Sequence, residues 1–219
     1  PYSRFIDTLH HYYPDLGDMI ERIGSKQVRN TGTLGGNIGN ASPIGDMPPA
    51  LIALGATLTL HVNGIERTIL VEDYFVDYKK TVLKPSEFIK SIQIPKPTAG
   101  QILKLYKISK RNDDDSSAVL VAIFIEQNES QEITNIRMAY GGMAAIPKRA
   151  RAAEAVLQGN RLTKELVGQA KTAIATDFQP MSDVRASDKY RMIVAQNLIE
   201  KCYVEMQSQK IATRVVNYA

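Results

Sequence analysis

The sequence predicts an α+β fold in two units, and three observations lead to this prediction. Segments with strand-like alternation occupy the middle of the chain, amphipathic helical segments follow one another after Pro147, and KPTAG interrupts the pattern at residues 96–100. Strands followed by a run of helices are typical of α+β proteins. We place the first unit at residues 1–98, the second at residues 99–206, and a polar tail that we expect to fray at residues 207–219.

The first unit begins with helical sequence. Residues 3–23 predict one or two short helices, with Pro14 in the first turn of the second, where its missing N–H is harmless. A Gly-rich segment follows as a loop. Residues 46–55 then predict a helix for which Asp46 is a suitable N-cap residue.

Alternation of apolar and polar residues predicts the strands. The first pair is residues 57–62 and 66–71, joined by Asn63 and Gly64, which favour a two-residue hairpin turn. The further strands predicted are residues 88–94, 102–108, 118–126 and 133–140. The helices predicted after them, from apolar residues at helical spacing, are residues 150–157, 163–175 and 187–203.

Bulk composition limits the possible classes of function. The 219 residues are 44% hydrophobic and 23% charged, as in an ordinary globular protein, and the net charge is +4. Because no Lys/Arg block is interleaved with aromatic residues, we expect no nucleic-acid partner. The longest apolar stretch, residues 48–60, is too short and too interrupted to span a membrane, so we expect no membrane partner.

Cysteine and histidine usage bears on compartment and metals. Cys202 is the single cysteine, which excludes a disulfide framework and favours a reducing compartment, so we expect a cytoplasmic protein. Its place on the apolar face of a predicted helix is typical of a small buried side chain. His10, His11 and His61 lack metal-ligand spacing with one another or with Cys202. We therefore expect no metal site in this chain.

The Gly-rich segment at residues 31–46, TGTLGGNIGNASPIGD, is the strongest functional signal. Glycine has no Cβ, so such a segment can bring backbone N–H groups against a ligand. Thr, Ser and Asn add short polar groups, and a helix that starts in the segment would add its positive end. These features favour a cradle for a diphosphate or sugar phosphate, although neither GxGxxG nor GK[ST] is present. A set of plain tight turns is the alternative.

With its flanks, this segment reads QVRNTGTLGGNIGNASPIGDMPPALIALGATLTL. It resembles the FAD-binding domain of the molybdenum hydroxylases, the family that includes xanthine dehydrogenase. The segments DYKKTVLKPSEFIKSIQIP, LYKISKRNDDDSSAV, RMAYGGMAAIPKRA and SDVRASDKYRM resemble the same family in the same order. The likeness therefore covers nearly the whole chain, and the bacterial form, with its flavin part on a smaller subunit, is the most similar.

The resemblance implies a fold and a set of partners. The fold is the second subdomain of a two-part FAD-binding domain, an antiparallel sheet with helices, followed by a cap domain of a three-stranded antiparallel sheet and three helices. The first FAD subdomain would be supplied upstream or in trans, and we expect the chain, which begins at Pro1, to be part of something longer. Partner domains or chains would carry 2Fe–2S clusters and molybdopterin.

The function that the resemblance implies is electron transfer. Substrate oxidation at molybdenum would send electrons through iron–sulfur clusters to FAD and then to NAD, as in a xanthine dehydrogenase-like enzyme of purine catabolism. We expect no catalytic residue in this chain, because the chemistry belongs to the cofactor, and we expect the isolated chain to be inactive. Two alternatives remain open: the flavin subunit of a sister hydroxylase (aldehyde, carbon monoxide or N-heterocycle), and a non-catalytic assembly module that has lost FAD.

The resemblance also implies which residues of the Gly-rich segment bind the cofactor. Thr33, Gly35, Gly36 and Asn37 would line FAD and touch its phosphates or ribityl chain. Asp46 would accept hydrogen bonds from sugar hydroxyls, because a buried carboxylate needs donors to offset its desolvation. The N-cap role of Asp46 is compatible with this one.

Two residues outside the segment match positions that contact the flavin in the family. Leu83 would pack on the ring, and the alternative is an ordinary core leucine. Lys107 would contact the isoalloxazine, where a cation stabilises the anionic reduced form. The alternative for Lys107 is an outward position on a half-exposed strand.

The charged run KRNDDD at residues 110–115 matches a loop that lies over the flavin in the family and governs access of the nicotinamide substrate. Lys110 and Arg111 would favour an anionic flavin and acidic residues would oppose it, so the local field would influence the choice between NAD and oxygen. Either Asp113 or Asp115 would approach the ring. Mixed charge runs are also common in solvated turns.

Four arginines of the second unit are left out of the site. We expect them to form surface or structural ion pairs on predicted helices and their edges. They are Arg149, Arg151, Arg185 and Arg191.

Overall fold

The computed structural model describes residues 1–207 and residue 213, so most of the predicted tail at residues 207–219 lies outside the described residues. The helices are α1 (Ile6–Tyr12), α2 (Pro14–Glu21), α3 (Lys26–Thr31), α4 (Leu34–Gly39), α5 (Met47–Ala53), α6 (Arg151–Leu157), α7 (Lys164–Asp177) and α8 (Asp188–Gln207). The strands are β1 (Thr57–Val62), β2 (Ile65–Leu70), β3 (Phe75–Asp77), β4 (Lys80–Thr81), β5 (Phe88–Gln93), β6 (Gln101–Ile108), β7 (Val119–Gln127), β8 (Ile133–Gly141) and β9 (Lys148–Arg149). The predicted α+β class is confirmed.

The Gly-rich segment, expected as a loop, contains the short helix α4 and is preceded by α3. Hydroxyl side chains start both helices: Ser25 Oγ accepts the N–H of Val28 at 3.4 Å, and Thr33 Oγ1 accepts the N–H of Gly36 at 2.9 Å. Such caps satisfy N–H groups that a helix leaves unpaired in its first turn. Periodicity did not reveal these helices because each has only six residues.

The first sheet has the order β2-β1-β5 and is antiparallel. Asn63 and Gly64 form the predicted hairpin turn, with φ values of 48° and 82°, which suit the right-handed twist of the paired strands. Leu58 and Leu60 of β1 are fully buried, so one face of this sheet covers the first hydrophobic core. A separate small hairpin, β3–β4, was not predicted because its strands have three and two residues.

The second sheet has the order β6-β7-β8-β9 and is also antiparallel. The three strands that the family resemblance implied are present, and the two-residue edge strand β9 makes the sheet four-stranded. In β7, Leu120 and Phe124 belong to the first core, whereas Val121 and Ile123 belong to the second. This sheet is therefore buried on both faces.

Helices cover the two faces of the second sheet from different parts of the chain. Helix α5 packs against β7 and β8 on the first core, and α6 and α8 pack against the same strands on the second. Strands after residue 99 thus contribute side chains to the core of the first unit. The boundary between the two units, placed between residues 98 and 99, stays a prediction. Within residues 1–207, no helix has both the length and the apolar character needed to cross a membrane.

Candidate functional site

The site is built around the carboxylate of Asp46, which immediately precedes α5 and is 8% exposed. Lys107 Nζ donates to Oδ2 of Asp46 at 2.5 Å, and the Ser117 hydroxyl donates to Oδ1. The side chain of Asp46 does not cap α5, although the residue occupies the N-cap position. The first turn of α5 explains this, because Pro48 and Pro49 have no N–H groups to donate to a capping carboxylate.

Lys107 faces inward from β6, and its side chain is 1% exposed. This burial excludes the alternative of an outward position on a half-exposed strand. Besides Asp46, the ammonium donates to the backbone carbonyl of Arg22 at 3.2 Å. A buried ammonium is tolerated because it is paired and hydrogen-bonded.

The side chain of Arg22, just after α2, fastens the start of the charged loop to β6. Arg22 Nε donates to the carbonyl of Asn112 at 2.9 Å, and one terminal nitrogen of Arg22 donates to the carbonyl of Lys107 at 3.3 Å. The loop, β6 and the end of α2 are thereby joined around Lys107.

The Gly-rich helix α4 is connected to this cluster through α5. Asn37 Oδ1 accepts the N–H of Met47 at 3.4 Å, one residue after Asp46. Thr33, Gly35 and Gly36 lie at the N-terminus of α4, where the Thr33 side chain and carbonyl accept N–H groups of the first turn. The structure therefore places Asn37 of the Gly-rich segment beside Asp46, while Thr33, Gly35 and Gly36 lie at the other end of α4.

Leu83 is partly buried and packs against the first hydrophobic core. Its backbone N–H donates to Thr81 Oγ1 at 3.4 Å, which holds it just after β4. Partial burial is compatible with a core leucine and with one that also packs on a ligand, so the flavin contact of Leu83 stays a prediction.

Within the charged loop, three of the predicted residues form hydrogen bonds with other groups of the chain. Lys110 Nζ donates to the carbonyl of Val184 at 2.8 Å, beside the start of α8. Arg111 donates through its backbone N–H to the Asp115 carboxylate at 2.9 Å. This hydrogen bond, with a second from Ser116, lowers the pKa of Asp115.

Asp113 is the acidic residue of the predicted pair that lines a large cleft, whereas Asp115 does not line it. The cleft has a volume of about 1320 Å³ and lies between α1–α3 and β6 with its following loop. Such a volume exceeds that of common small-molecule sites, which is about 300–1,000 Å³. Lys107 lines the same cleft, so the cluster around Asp46 adjoins it.

Comparisons with known proteins bear on what this arrangement binds. The family model described as "FAD binding domain in molybdopterin dehydrogenase" matches residues 2–97, and the one described as "CO dehydrogenase flavoprotein C-terminal domain" matches residues 104–206. The glyceraldehyde dehydrogenase medium chain of Sulfolobus acidocaldarius is 32% identical over 201 residues, which cover 92% of this chain and 68% of that one.

The chain belongs to the FAD-binding family of the molybdenum hydroxylases.

Two further comparisons, one with a relative and one with a solved structure, support membership of this flavoprotein family. The xanthine dehydrogenase of Emericella nidulans is 33% identical over 193 residues, which cover 87% of this chain but only 14% of that protein. The solved structure of carbon monoxide dehydrogenase from Hydrogenophaga pseudoflava, in a form that lacks the Mo-pyranopterin moiety, superposes with a TM-score of 0.84 at 28% identity. The match covers 90% of this chain and 69% of that one.

The glycines of the flavoprotein fit its cofactor, FAD. Apart from neighbouring residues of α4, a Cβ built on Gly35 or Gly39 would meet no atom of the described residues within 4 Å, and neither glycine has a positive φ. The fold of the chain therefore does not itself require glycine at these positions. Open space beside helical backbone is what a closely approaching diphosphate or ribityl chain needs. In this family the molybdopterin and iron–sulfur cofactors belong to partner domains.

Three residues of the flavoprotein site were missed by sequence reasoning. Arg22 contacts Lys107, which is 85 residues away along the chain, and Ser117 contacts Asp46, which is 71 residues away. No local sequence pattern reveals contacts of this length. Tyr2 is 2% exposed, and its hydroxyl has no hydrogen-bond partner within residues 1–207. Burial, together with the nearby Asp46 carboxylate, raises the pKa of Tyr2.

The four arginines excluded from the site each have a carboxylate partner. Arg149 and Arg151 both pair with Glu72, and Arg149 also pairs with Glu154 at 2.8 Å. The other two, Arg185 and Arg191, pair with Asp183 at 3.4 and 2.6 Å.

Proposed function

We propose that this chain is the FAD-binding electron-transfer portion of a xanthine dehydrogenase-like enzyme that uses NAD as acceptor. The observation that carries the proposal is the buried Asp46–Lys107 pair at the edge of the cleft. It is supported by the open glycines Gly35 and Gly39 on α4, a helix that Asn37 joins to the start of α5. The likeness to the xanthine dehydrogenase of Emericella nidulans supports the choice of enzyme.

In this proposal the Gly-rich segment holds the diphosphate and ribityl part of FAD. Thr33, Gly35, Gly36 and Asn37 contact it through hydroxyl, backbone and amide groups. Asp46 accepts hydrogen bonds from sugar hydroxyls. It does so with the lone pairs that Lys107 and Ser117 leave free, since a carboxylate has about four acceptor positions. Leu83 packs on the ring.

FAD, when bound, would supply the redox chemistry between the electron donor and NAD. The role of Lys107 is electrostatic. The ammonium donates to Asp46 and to the carbonyl of Arg22, so its charge is held in a fixed position beside the cleft. A fixed positive charge there favours the anionic reduced form over the oxidised one.

The loop at residues 110–115 controls access to the cleft in this proposal. Asp113 lines the cleft and places a negative charge toward the ring, while Lys110 and Asp115 hold the loop in shape. Because Arg22 holds the carbonyl of Asn112, the loop keeps a defined position relative to Lys107.

The proposal extends to the rest of the enzyme. Residues 1–98 form the second FAD-binding subdomain and residues 99–206 the cap. The first FAD subdomain, 2Fe–2S clusters and molybdopterin are supplied upstream or by other chains, in a cytoplasmic enzyme, and the chain alone does not turn over substrate. The single buried cysteine supports a reducing compartment.

Replacement of a matched pair of glycines tests cofactor binding. Gly35→Ala adds a methyl group where we expect FAD, and Gly168→Ala adds one to α7, where open space also surrounds a helical glycine. Both changes should leave stability unchanged or raise it by up to about 1 kcal/mol, because alanine favours a helix. In the protein with its partner chains, FAD titration should show at least about tenfold weaker binding for Gly35→Ala only, which is about 1.4 kcal/mol.

Equal FAD affinity in the two variants would contradict the placement of FAD at α4. Absence of FAD from the wild-type protein and its partner chains would contradict the proposed function as a whole. The acceptor is tested in the same preparation with xanthine as substrate, by comparing NAD reduction with oxygen consumption. Reduction of oxygen but not NAD would overturn the assignment of NAD.

A second candidate is the flavin subunit of a sister hydroxylase. The observation that favours it is the extent of the match to the glyceraldehyde dehydrogenase medium chain, which the chain covers over 68% of its length. Oxidation of an aldehyde, carbon monoxide or an N-heterocycle, but not xanthine, by the assembled enzyme would support this candidate over the first.

A further inference from the structure

The Ser117 hydroxyl has an unusual place for a loop serine. Ser117 lies two residues after the charged run and two before β7, yet it is only 1% exposed. It donates to Asp46 Oδ1, whereas the preceding residue, Ser116, is exposed. The end of the loop is thus connected by one hydrogen bond to the carboxylate beside the cofactor site.

The two oxygens of Asp46 have different partners. Ser117 occupies Oδ1 and Lys107 occupies Oδ2, so the carboxylate is fixed in one orientation by donors from the two ends of the loop. Without the hydroxyl, Oδ1 would be a buried acceptor lacking this donor, which is unfavourable. Rotation of the carboxylate would relieve this by bringing both oxygens to the ammonium of Lys107.

Such a rotation would move the charge of Lys107. The ammonium is held between Oδ2 of Asp46 and the carbonyl of Arg22, and a carboxylate that accepts from it with both oxygens would draw it closer to Asp46. Because electrostatic interactions fall with distance, the reduced anionic cofactor would lose more than the oxidised one.

We propose that Ser117 is a positioning residue that orients Asp46, and through it Lys107, so that the reduced form of FAD is bound preferentially. This inference rests on the proposed function. It adds that the loop controlling access and the charge that tunes the flavin are physically connected, because Ser117 lies two residues after the loop and acts on Lys107 through Asp46.

The test compares the affinity of the protein, with its partner chains, for oxidised and for reduced FAD by anaerobic titration. In Ser117→Ala, binding of the reduced form should weaken about tenfold more than that of the oxidised form, which lowers the two-electron potential by about 30 mV. Ser117→Thr keeps the hydroxyl and should restore the wild-type ratio. The matched control is Ser109→Ala, because the Ser109 hydroxyl donates to the carbonyl of Arg111 within the same loop and should leave the ratio unchanged.

Equal losses for the two forms in Ser117→Ala, including complete loss of both, would overturn the inference, because they indicate general damage to the pocket. A threonine variant whose ratio falls as far as that of the alanine variant would also count against it. A wild-type protein that binds neither form would instead contradict the proposed function, so the two failures are distinguishable.

Discussion

Two buried cations, Lys107 and Arg191, lie near the second sheet and differ in what surrounds them. Arg191 of α8 is 2% exposed and donates to the carbonyls of Ala118 and Gly142 and to Asp183. Lys107 is equally buried in its side chain but lines the large cleft and shares its carboxylate with Ser117. Burial and pairing alone therefore do not mark a functional charge, whereas the cleft beside Lys107 distinguishes it from Arg191.

A large effect is expected for Arg191→Met, because Arg191 joins the start of β7, the turn after β8 and the segment before α8. Its removal leaves the carbonyls of Ala118 and Gly142 without this donor inside the protein. We expect a loss of about 3 kcal/mol in the free energy of unfolding, because each buried carbonyl that loses its donor costs about 1–3 kcal/mol. Urea denaturation measures it.

Arg185→Met is the matched control for Arg191→Met. It removes another partner of Asp183, but one at the surface, and should change stability by less than about 0.5 kcal/mol. Similar values for the two variants would contradict the assignment of Arg191 as a structural cation.

Lys107 should behave differently when its partner is neutralised. Lys107→Met alone leaves the Asp46 carboxylate buried without its cation and should cost about 3 kcal/mol. Adding Asp46→Asn removes the buried charge and keeps an acceptor for Ser117, so stability should return to within about 1 kcal/mol of the wild type. FAD affinity should stay at least about tenfold weaker in the double variant, because neither polar contact is restored.

Denaturation and FAD titration of the same preparations separate the two properties. A double variant that regained FAD affinity along with stability would show that Lys107, like Arg191, only supports the fold. One that stayed unstable would show that the pair is needed for the structure beyond its charge balance.

Most of the fold was predictable because local patterns encode it. Asn63 and Gly64 identify the β1–β2 hairpin, and alternating apolar residues identify the long strands. Strands of two or three residues, such as β4 and β9, are too short for any period to appear. The same limit applies to α3 and α4, which depend on the caps of Ser25 and Thr33 rather than on an apolar face.

The site was predictable only in part, for a physical reason. The inward direction of Lys107 could not be read from alternation, because neighbours on both faces of this end of β6, Leu105 and Tyr106, are buried as well. Ser117 and Arg22 look like ordinary loop and helix-end residues until the fold places them beside Asp46 and Lys107. Such long-range polar contacts leave no periodic signal.

A smaller effect is expected on the acid stability of the fold, through Asp183, the carboxylate partner of Arg191. Although burial opposes it, hydrogen bonds from the N–H groups of Arg185 and Ala186 and from Arg191 lower the pKa of Asp183 from 3.8 to about 2. Because the folded pKa lies below the unfolded one, the charged carboxylate stabilises the fold above about pH 4, and this contribution is lost as the pH falls toward 2.

More than a third of the Asp183 side chain is exposed, so solvent screening limits the contribution to about 1 kcal/mol. Asp183→Asn should therefore be less stable than the wild type by about this amount at pH 6. The difference measured by urea denaturation should shrink between pH 4 and pH 3. A difference that is constant from pH 6 to pH 3 would show that Asp183 stabilises the fold through contacts that an amide does not replace, and not through its charge.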